Sequence, residues 1–217
     1  MSNLKGVIFD FNGTLFFDND KHILAWNKIS KEIRGRDITD EELHEKFNGT
    51  PNDQILRYML GEDAKEDQIQ YYSSLKEQYY REFCKADKAG FHLVEGVPEF
   101  MDALKEKEIP FTIASASIKA NIDFFIESFG LDVWISPENI VFDDGTYKNK
   151  VAMFKKAAQI LGIDMEDITV FEDSFSGIKN AYEAGCRSII VIGTPEIRRQ
   201  YESLPGVIKT IATFKEL

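Results

Sequence analysis

The sequence predicts an α/β protein: a doubly wound, mostly parallel sheet with a smaller all-helical unit inserted after its first strand. Three observations predict it. Gly6-Val7-Ile8-Phe9 is a short apolar run, the composition of a strand buried on both faces, and it ends on Asp10 and a turn at Gly13. From about residue 16 to about 88, apolar residues recur at helical spacing with no convincing strand. After Gly90, strand and helix patterns alternate, which defines βαβ units with right-handed crossovers and helices on both faces. The expected division is a core of residues 1–15 with 89–217 and a helical domain of 16–88.

Each element has its own signal. Ile23, Trp26, Ile29 and Ile33 trace a helix stopped at Gly35. Thr39-Asp40-Glu41-Glu42 is a capping box ahead of Leu43 and Phe47. Thr50 and Pro51 suit the N-cap and first position of a helix closed by Gly61. A longer amphipathic helix runs through Ile69, Tyr72, Leu75, Tyr79 and Phe83. In the core, Val97-Pro98 opens a helix, and Phe111-Thr112-Ile113-Ala114 is a strand entering Ser115-Ala116-Ser117. A helix with Ile122, Phe125 and Phe129 ends at Gly130. Val133-Trp134-Ile135 and Ile140-Val141-Phe142 are short apolar runs with strand character. A helix spans Val151 to Leu161, and Ile168-Thr169-Val170-Phe171 is a strand entering Glu172-Asp173-Ser174. A helix with Ile178, Ala181 and Tyr182 ends at Gly185, and strands follow at Ser188–Ile192 and Val207–Ile211.

Composition narrows the function. The chain has 217 residues with 26 basic against 37 acidic ones, a net charge of -11. That charge argues against a nucleic-acid partner, because a phosphate backbone requires a basic face. Cys84 and Cys186 form no zinc spacing and no disulfide framework. There is no signal-peptide pattern and no run of about 18 apolar residues, so the expectation is a cytoplasmic protein without a membrane partner. It is expected to be a monomer or a weak homodimer.

Three strand ends carry polar residues: Asp10 with Asn12, Ser115 with Ser117, and Glu172 with Asp173. Ligands of an open α/β sheet bind outside the carboxyl ends of its strands. The cluster offers oxygen only, which suits Mg²⁺ and not zinc. A cation beside a hydroxyl and a lysine is what a phosphoryl group needs. Lys148 or Lys150 could supply the ammonium, and Asp10 could attack phosphorus. Asp143 and Asp144 read as a solvated turn. Tyr71, Tyr72, Tyr79 and Tyr80 read as packing residues, and Ser174 and Ser176 as helix caps.

Asp10-Phe11-Asn12-Gly13-Thr14-Leu15, Ser115-Ala116-Ser117, Lys148 and the run Phe171-Glu172-Asp173-Ser174-Phe175-Ser176-Gly177-Ile178 resemble the four ordered motifs of the haloacid dehalogenase-like phosphatase superfamily. The subgroup is that of the β-phosphoglucomutase-like phosphatases, and the helical insert is similar to its C1-type cap. The resemblance spans essentially the whole chain. It implies a Rossmann-like core and Mg²⁺-dependent hydrolysis of small phosphate monoesters, sugar phosphates foremost, through an aspartyl-phosphate. It makes Asp10 the nucleophile and Ser115, with Ala116, the holder of the phosphoryl group. It makes Lys148, preferred over Lys150 by its six-residue distance to Phe154, the phosphate lysine. Asp10, the backbone carbonyl of Asn12, Glu172 and Asp173 form its metal site. His22 matches the subgroup's cap-entry pattern, as a proton helper or as a packing histidine. Hinges are expected near residues 15–18 and 87–90.

Two departures stand out. Asn12 occupies the position where the superfamily has an acid/base Asp, and Asn cannot shuttle a proton. Asn52 stands where the subgroup's mutases carry a phosphate-gripping arginine, with Arg57 a turn further on. These departures count against the alternative of β-phosphoglucomutase. Asn12 alone supports a second alternative, a catalytically impaired member that binds a phosphometabolite.

Overall fold

The computed structural model describes residues 4–47, 50–61 and 63–217. The chain divides into two compact units, Met1–Phe17 with His92–Leu217, and Asp18–Phe91.

The first unit is built on six parallel strands: β1 (Gly6–Phe9), β2 (Phe111–Ile118), β3 (Val141–Asp143), β4 (Ile168–Glu172), β5 (Ser188–Ile192) and β6 (Val207–Ile211). Their order is β3-β2-β1-β4-β5-β6. β1 lies between β2 and β4, with Ile8 opposite both Thr112 and Val170. The strand order reverses beside β1, so the ends of β1, β2 and β4 flank the switch-point crevice. The alternation of side chains explains why every residue of β1 is buried. Ile8 and Val170 face a core that includes Met153, Phe154 and Ile178. Phe9 and Phe171 face the other way, with ring centroids 5.1 Å apart, against Phe100 and Phe214.

The helices covering this sheet are α5 (Val97–Glu106), α6 (Lys119–Phe129), α7 (Lys150–Leu161), α8 (Phe175–Ala184) and α9 (Pro195–Tyr201). One expected strand is absent. Val133-Trp134-Ile135 forms no strand; Leu131–Val133 is a 3₁₀ turn. Trp134 Nε1 donates to Asp102 Oδ1 at 2.7 Å and Lys105 Nζ to the Val133 carbonyl at 2.7 Å, so side chains satisfy this segment where a ladder would have. The neighbouring run does enter the sheet, as β3.

The second unit is all-helical: α1 (Asn19–Arg34), α2 (Asp40–Glu42), a π-helical turn (Leu43–Phe47), α3 (Asn52–Leu60) and α4 (Glu66–Ala86). Trp26, Ile29, Phe47, Leu56 and Ile69 form its core. Thr39 and Glu42 close the expected capping box. α3 begins one residue later than expected, with Pro51 at the N-cap; Gly49 lies outside the described residues. Tyr80 is fully buried, while Tyr71 is 60% exposed and rests on Tyr72. No helix among the described residues is long and apolar enough to cross a membrane.

Glu42 ties this unit together. It accepts two bonds from Arg36, one from Arg34, one from the Thr39 backbone N–H and one from Tyr58, at 2.7–2.9 Å. The Arg36 fork and the Thr39 N–H hold its carboxyl well below the usual carboxylate range. A depressed folded-state value stabilises the fold above the unfolded value near 4.5 and is lost as pH falls below it. Glu42→Gln is expected to cost about 2 kcal/mol at neutral pH, given charge-assisted bonds of about 1.5–3 kcal/mol each and partial exposure. Unfolding of both proteins at pH 7 and pH 4 checks this: the gap between them narrows at the lower pH.

Candidate active site

Asp10 stands at the carboxyl end of β1, and its N–H donates to the Phe171 carbonyl of β4 at 3.0 Å. Phe11 turns inward and stacks on Phe125 of α6 at 4.0 Å, which anchors the loop from below. Gly13 makes the turn with φ 75°, and a side chain there would overlap the Asp173 carboxylate. Thr14 Oγ1 donates to that carboxylate at 3.3 Å.

Glu172 closes β4 and is fully buried. Its Oε2 accepts from the Asp173 N–H at 3.1 Å, the Ser174 N–H at 3.3 Å and the Ser174 hydroxyl at 3.2 Å. Ser174 in turn caps α8, accepting from the Gly177 N–H at 3.0 Å. Gly177 has no side chain because one would strike the Glu172 carboxylate.

The lysine of the cluster is Lys150, correcting the expectation of Lys148. Lys150 Nζ lies 2.7 Å from Asp10 Oδ1 and 2.5 Å from Glu172 Oε1, with its side chain 14% exposed. Lys148 is exposed. The physical reason is the start of α7. Asn149 is its N-cap, accepting from the Ala152 N–H, so Lys150 is the first helical residue and lies along Phe154, one turn on. Lys148 falls before the cap, beyond an exposed turn in which Asp143 and Asp144 accept from Gly145 and Thr146.

Burial pushes the Asp10 carboxyl up to about 7, with the Glu172 charge adding to the rise and Lys150 opposing it. The two carboxylates that flank Lys150 outweigh its burial and hold the ammonium charged.

Ser115, which the strand β2 carries three residues before its end, is 1% exposed. The pairing of β2 with β3 is irregular between Ser115 and Ile118, which releases the Ser117 N–H from the ladder. It donates instead to Ser115 Oγ at 3.2 Å. Asn12 joins them: its Oδ1 accepts from Ser117 Oγ at 2.6 Å and from Ser115 Oγ at 3.4 Å. Ala116 is exposed. Ser117 carried no role in the sequence, because nothing in a strand pattern marks an irregular register.

His22 and Asn52 belong to the helical unit. Lys76, 2% exposed, donates to His22 Nδ1 at 2.8 Å, and an ammonium has no acceptor to offer, so the ring proton sits on Nε2, 3.4 Å from Asp18. The ring stacks on Tyr80 at 4.1 Å. Asn52 Nδ2 donates to Glu77 Oε1 at 2.8 Å, and Arg57 pairs with Glu66. Cys84 and Cys186 are buried, and burial pushes both thiols up, Cys84 to about 12. Neither is a nucleophile at neutral pH.

The residues fit a hard divalent cation. Asp10, Glu172 and Asp173 each offer a carboxylate oxygen within 4.8 Å of the others. Three carboxylates face one ammonium, an excess of negative charge in a mostly buried place, and the donors are all oxygen.

Fold and edge chemistry together define a doubly wound α/β hydrolase of the phosphatase type. The chain belongs to the haloacid dehalogenase-like hydrolase family, whose model matches residues 7–191. Protein CbbY of Rhodobacter capsulatus is 28% identical over 195 residues, covering 86% of this chain and 85% of that protein. The phosphorylated carbohydrates phosphatase of Thermotoga maritima is 24% identical over 189 residues, covering 86% and 84%. Among solved structures, the HAD hydrolase, family IA, variant 3 from Entamoeba histolytica matches with a TM-score of 0.91 at 33% identity, covering 99% of this chain and 95% of that one.

Proposed function

We propose that the protein is a Mg²⁺-dependent phosphatase of small phosphate esters, sugar phosphates foremost, acting through a phosphoaspartate on Asp10. The observation that carries this reading is Asp10 Oδ1 held by Lys150 inside the carboxylate trio at the switch point. The phosphorylated carbohydrates phosphatase among its relatives supports the substrate class.

Asp10, Asp173, Glu172 and the backbone carbonyl of Asn12 would hold the cation, which supplies charge neutralisation at the phosphoryl oxygens. Lys150 orients the Asp10 carboxylate and adds positive charge beside the transferring group. Ser115 and the adjoining Ala116 backbone hold that group. A bond forms from an Asp10 carboxylate oxygen to phosphorus as the ester P–O bond breaks. Water then attacks phosphorus, the bond to Asp10 breaks, and inorganic phosphate leaves. The helical unit takes the part of the family's cap domain, with hinges near residues 15–18 and 87–90. Hydrolysis is favoured over mutase activity because position 52 holds an Asn whose amide is bonded to Glu77, and Arg57, a turn further on, is paired with Glu66.

The test is phosphate release from a panel of sugar and aryl phosphates, with Mg²⁺ and with a chelator. Release is expected only with Mg²⁺, and β-glucose 1-phosphate should yield inorganic phosphate without the 6-phosphate. No turnover of any ester, activated aryl phosphates included, refutes the reading.

A further inference from the structure

We infer that Lys21 is a clamp at the root of the helical unit: its ammonium ties the start of α1 to the end of α4 and confines flexing between the two units to Phe17 on one linker and to His92 and Leu93 on the other. The inference deepens the proposed function and rests on the helical unit moving as a cap. It narrows the first hinge to one residue and shifts the second past the turn at 87–90.

The chain passes between the units twice, between Phe17 and Asp18 and between Phe91 and His92. On the helical side both passages are held. Lys21 lies in the first turn of α1, and Asp87 is the C-cap of α4. Lys21 Nζ is 2.5 Å from Asp20 Oδ2 and 2.6 Å from Asp87 Oδ2, with its side chain 6% exposed. The other Asp87 oxygen accepts from the Gly90 N–H at 3.0 Å, and the Asp87 carbonyl accepts from the Phe91 N–H at 2.9 Å. A side chain at residue 90 would overlap the Asp87 carboxylate, so glycine lets this turn close. Asp18 is buried, accepts from the Tyr80 hydroxyl of α4 and takes the Lys21 N–H on its carbonyl. Residues 18–21 and 87–91 are therefore built into the helical unit.

The sheet side is tied as well. Phe16 is fully buried, its carbonyl accepts from the Gly13 N–H at 2.8 Å, and its ring lies 5.4 Å from that of Phe129. The Val94 N–H donates to the Leu15 carbonyl at 2.8 Å and so joins the two linkers directly. Between the ties remain Phe17, half exposed, and the pair His92-Leu93. None of these three backbone N–H groups has a hydrogen-bond partner among the described residues. A body pinned at two short flexible points turns about the line through them. Without the ammonium, the Asp20 and Asp87 carboxylates repel, and the turn at 87–91 joins the flexible linker. The unit then samples more orientations, and apparent substrate affinity falls with the fraction of them that is competent. Both carboxylates reach water, Asp20 65% and Asp87 39% exposed, so loss of Lys21 leaves them solvated and the fold intact.

The experiment uses the full chain as wild type, Lys21→Met and Asp87→Asn, which keeps an acceptor for the Gly90 N–H and loses the charge. Hydrogen exchange is read amide by amide. In wild type, Gly90 and Phe91 should be protected about tenfold or more over His92 and Leu93. Lys21→Met should remove about tenfold of that protection, with Asp87→Asn acting in the same direction, while Ile29 and Leu56 in the core of the unit change less. With Mg²⁺ and the sugar phosphate that wild type hydrolyses best, Lys21→Met should raise KM about three- to tenfold and leave kcat within about twofold. Unchanged protection of Gly90 in Lys21→Met overturns the clamp, as does an equal loss at Gly90, Ile29 and Leu56, which would be general destabilisation. Should Lys21→Met not fold, Asp87→Asn decides by the same two criteria. Lost protection with an unchanged KM overturns the part of the clamp in cap movement. A wild type inert towards every ester refutes the proposed function instead, and the exchange pattern still decides the clamp.

Discussion

Asp10→Asn is expected to lower Mg²⁺-dependent phosphate release on the order of 10⁵-fold, the scale of losing a nucleophile that acts as one unit with its partners. The substitution is nearly isosteric. It leaves Phe11 stacked on Phe125 and the N–H bond to Phe171 in place, so the loop keeps its path. It also removes one of two buried carboxylates flanking Lys150, leaving a simple Lys150–Glu172 pair. Folding should therefore survive, and the loss should be chemical. Thermal unfolding without Mg²⁺ distinguishes the two: a midpoint at or above that of wild type alongside lost turnover supports the nucleophile. Retention of activity within tenfold removes Asp10 from that role. The variant should also gain no mass from acetyl phosphate, since the carboxylate proposed to take the phosphoryl group is gone.

How much of this was legible in the sequence depended on what fixed each residue. Asp10, Ser115, Glu172 and Asp173 each follow an apolar run, and parallel strands bring their carboxyl ends to one edge. The chemistry of the edge could therefore be read before its geometry. Lys150 could not be chosen over Lys148, because the segment between β3 and α7 has no apolar period and its fold is decided by side-chain bonds. Asn149 caps α7, and Asp143 and Asp144 close the turn before it. A capping Asn directly ahead of a lysine, with Phe154 four residues beyond that lysine, was the available signal. Trp134 misled for a related reason. Its indole bonds to Asp102, a residue far off in the chain, and that bond favours a 3₁₀ turn over a strand. Ser117 was grouped with Ser115 at the strand end but given no role, because its partner is set by an irregular register between β2 and β3. The Lys76–His22 contact joins α1 and α4, residues 54 apart, and depends on helix packing that period alone does not specify.

Lys150→Met is expected to lower turnover about 10³-fold, while Lys148→Met leaves it within about twofold, the first removing a charge aimed at the reacting group and the second a solvated side chain. Lys150 does two things at once. It orients Asp10 Oδ1 from 2.7 Å, and it separates the Asp10 and Glu172 carboxylates, holding each at hydrogen-bond distance. Methionine keeps the length of the side chain and its packing near Phe154 but leaves two buried carboxylates without their ammonium. Breaking a buried ion pair by removing one partner costs about 3–5 kcal/mol, so the variant should unfold at lower temperature when Mg²⁺ is absent. The proposed cation site exists only in the folded state, so adding Mg²⁺ should recover more stability in Lys150→Met than in wild type, where the lysine already offsets part of the charge. Activity should not recover with it, because the cation restores charge balance without restoring the orientation of Asp10. Midpoints of unfolding with and without Mg²⁺, measured beside turnover for both lysine variants, carry the decision. Equal activity losses in the two variants would return the role to the loop before α7, and full rescue of Lys150→Met by Mg²⁺ would reduce Lys150 to a counter-ion.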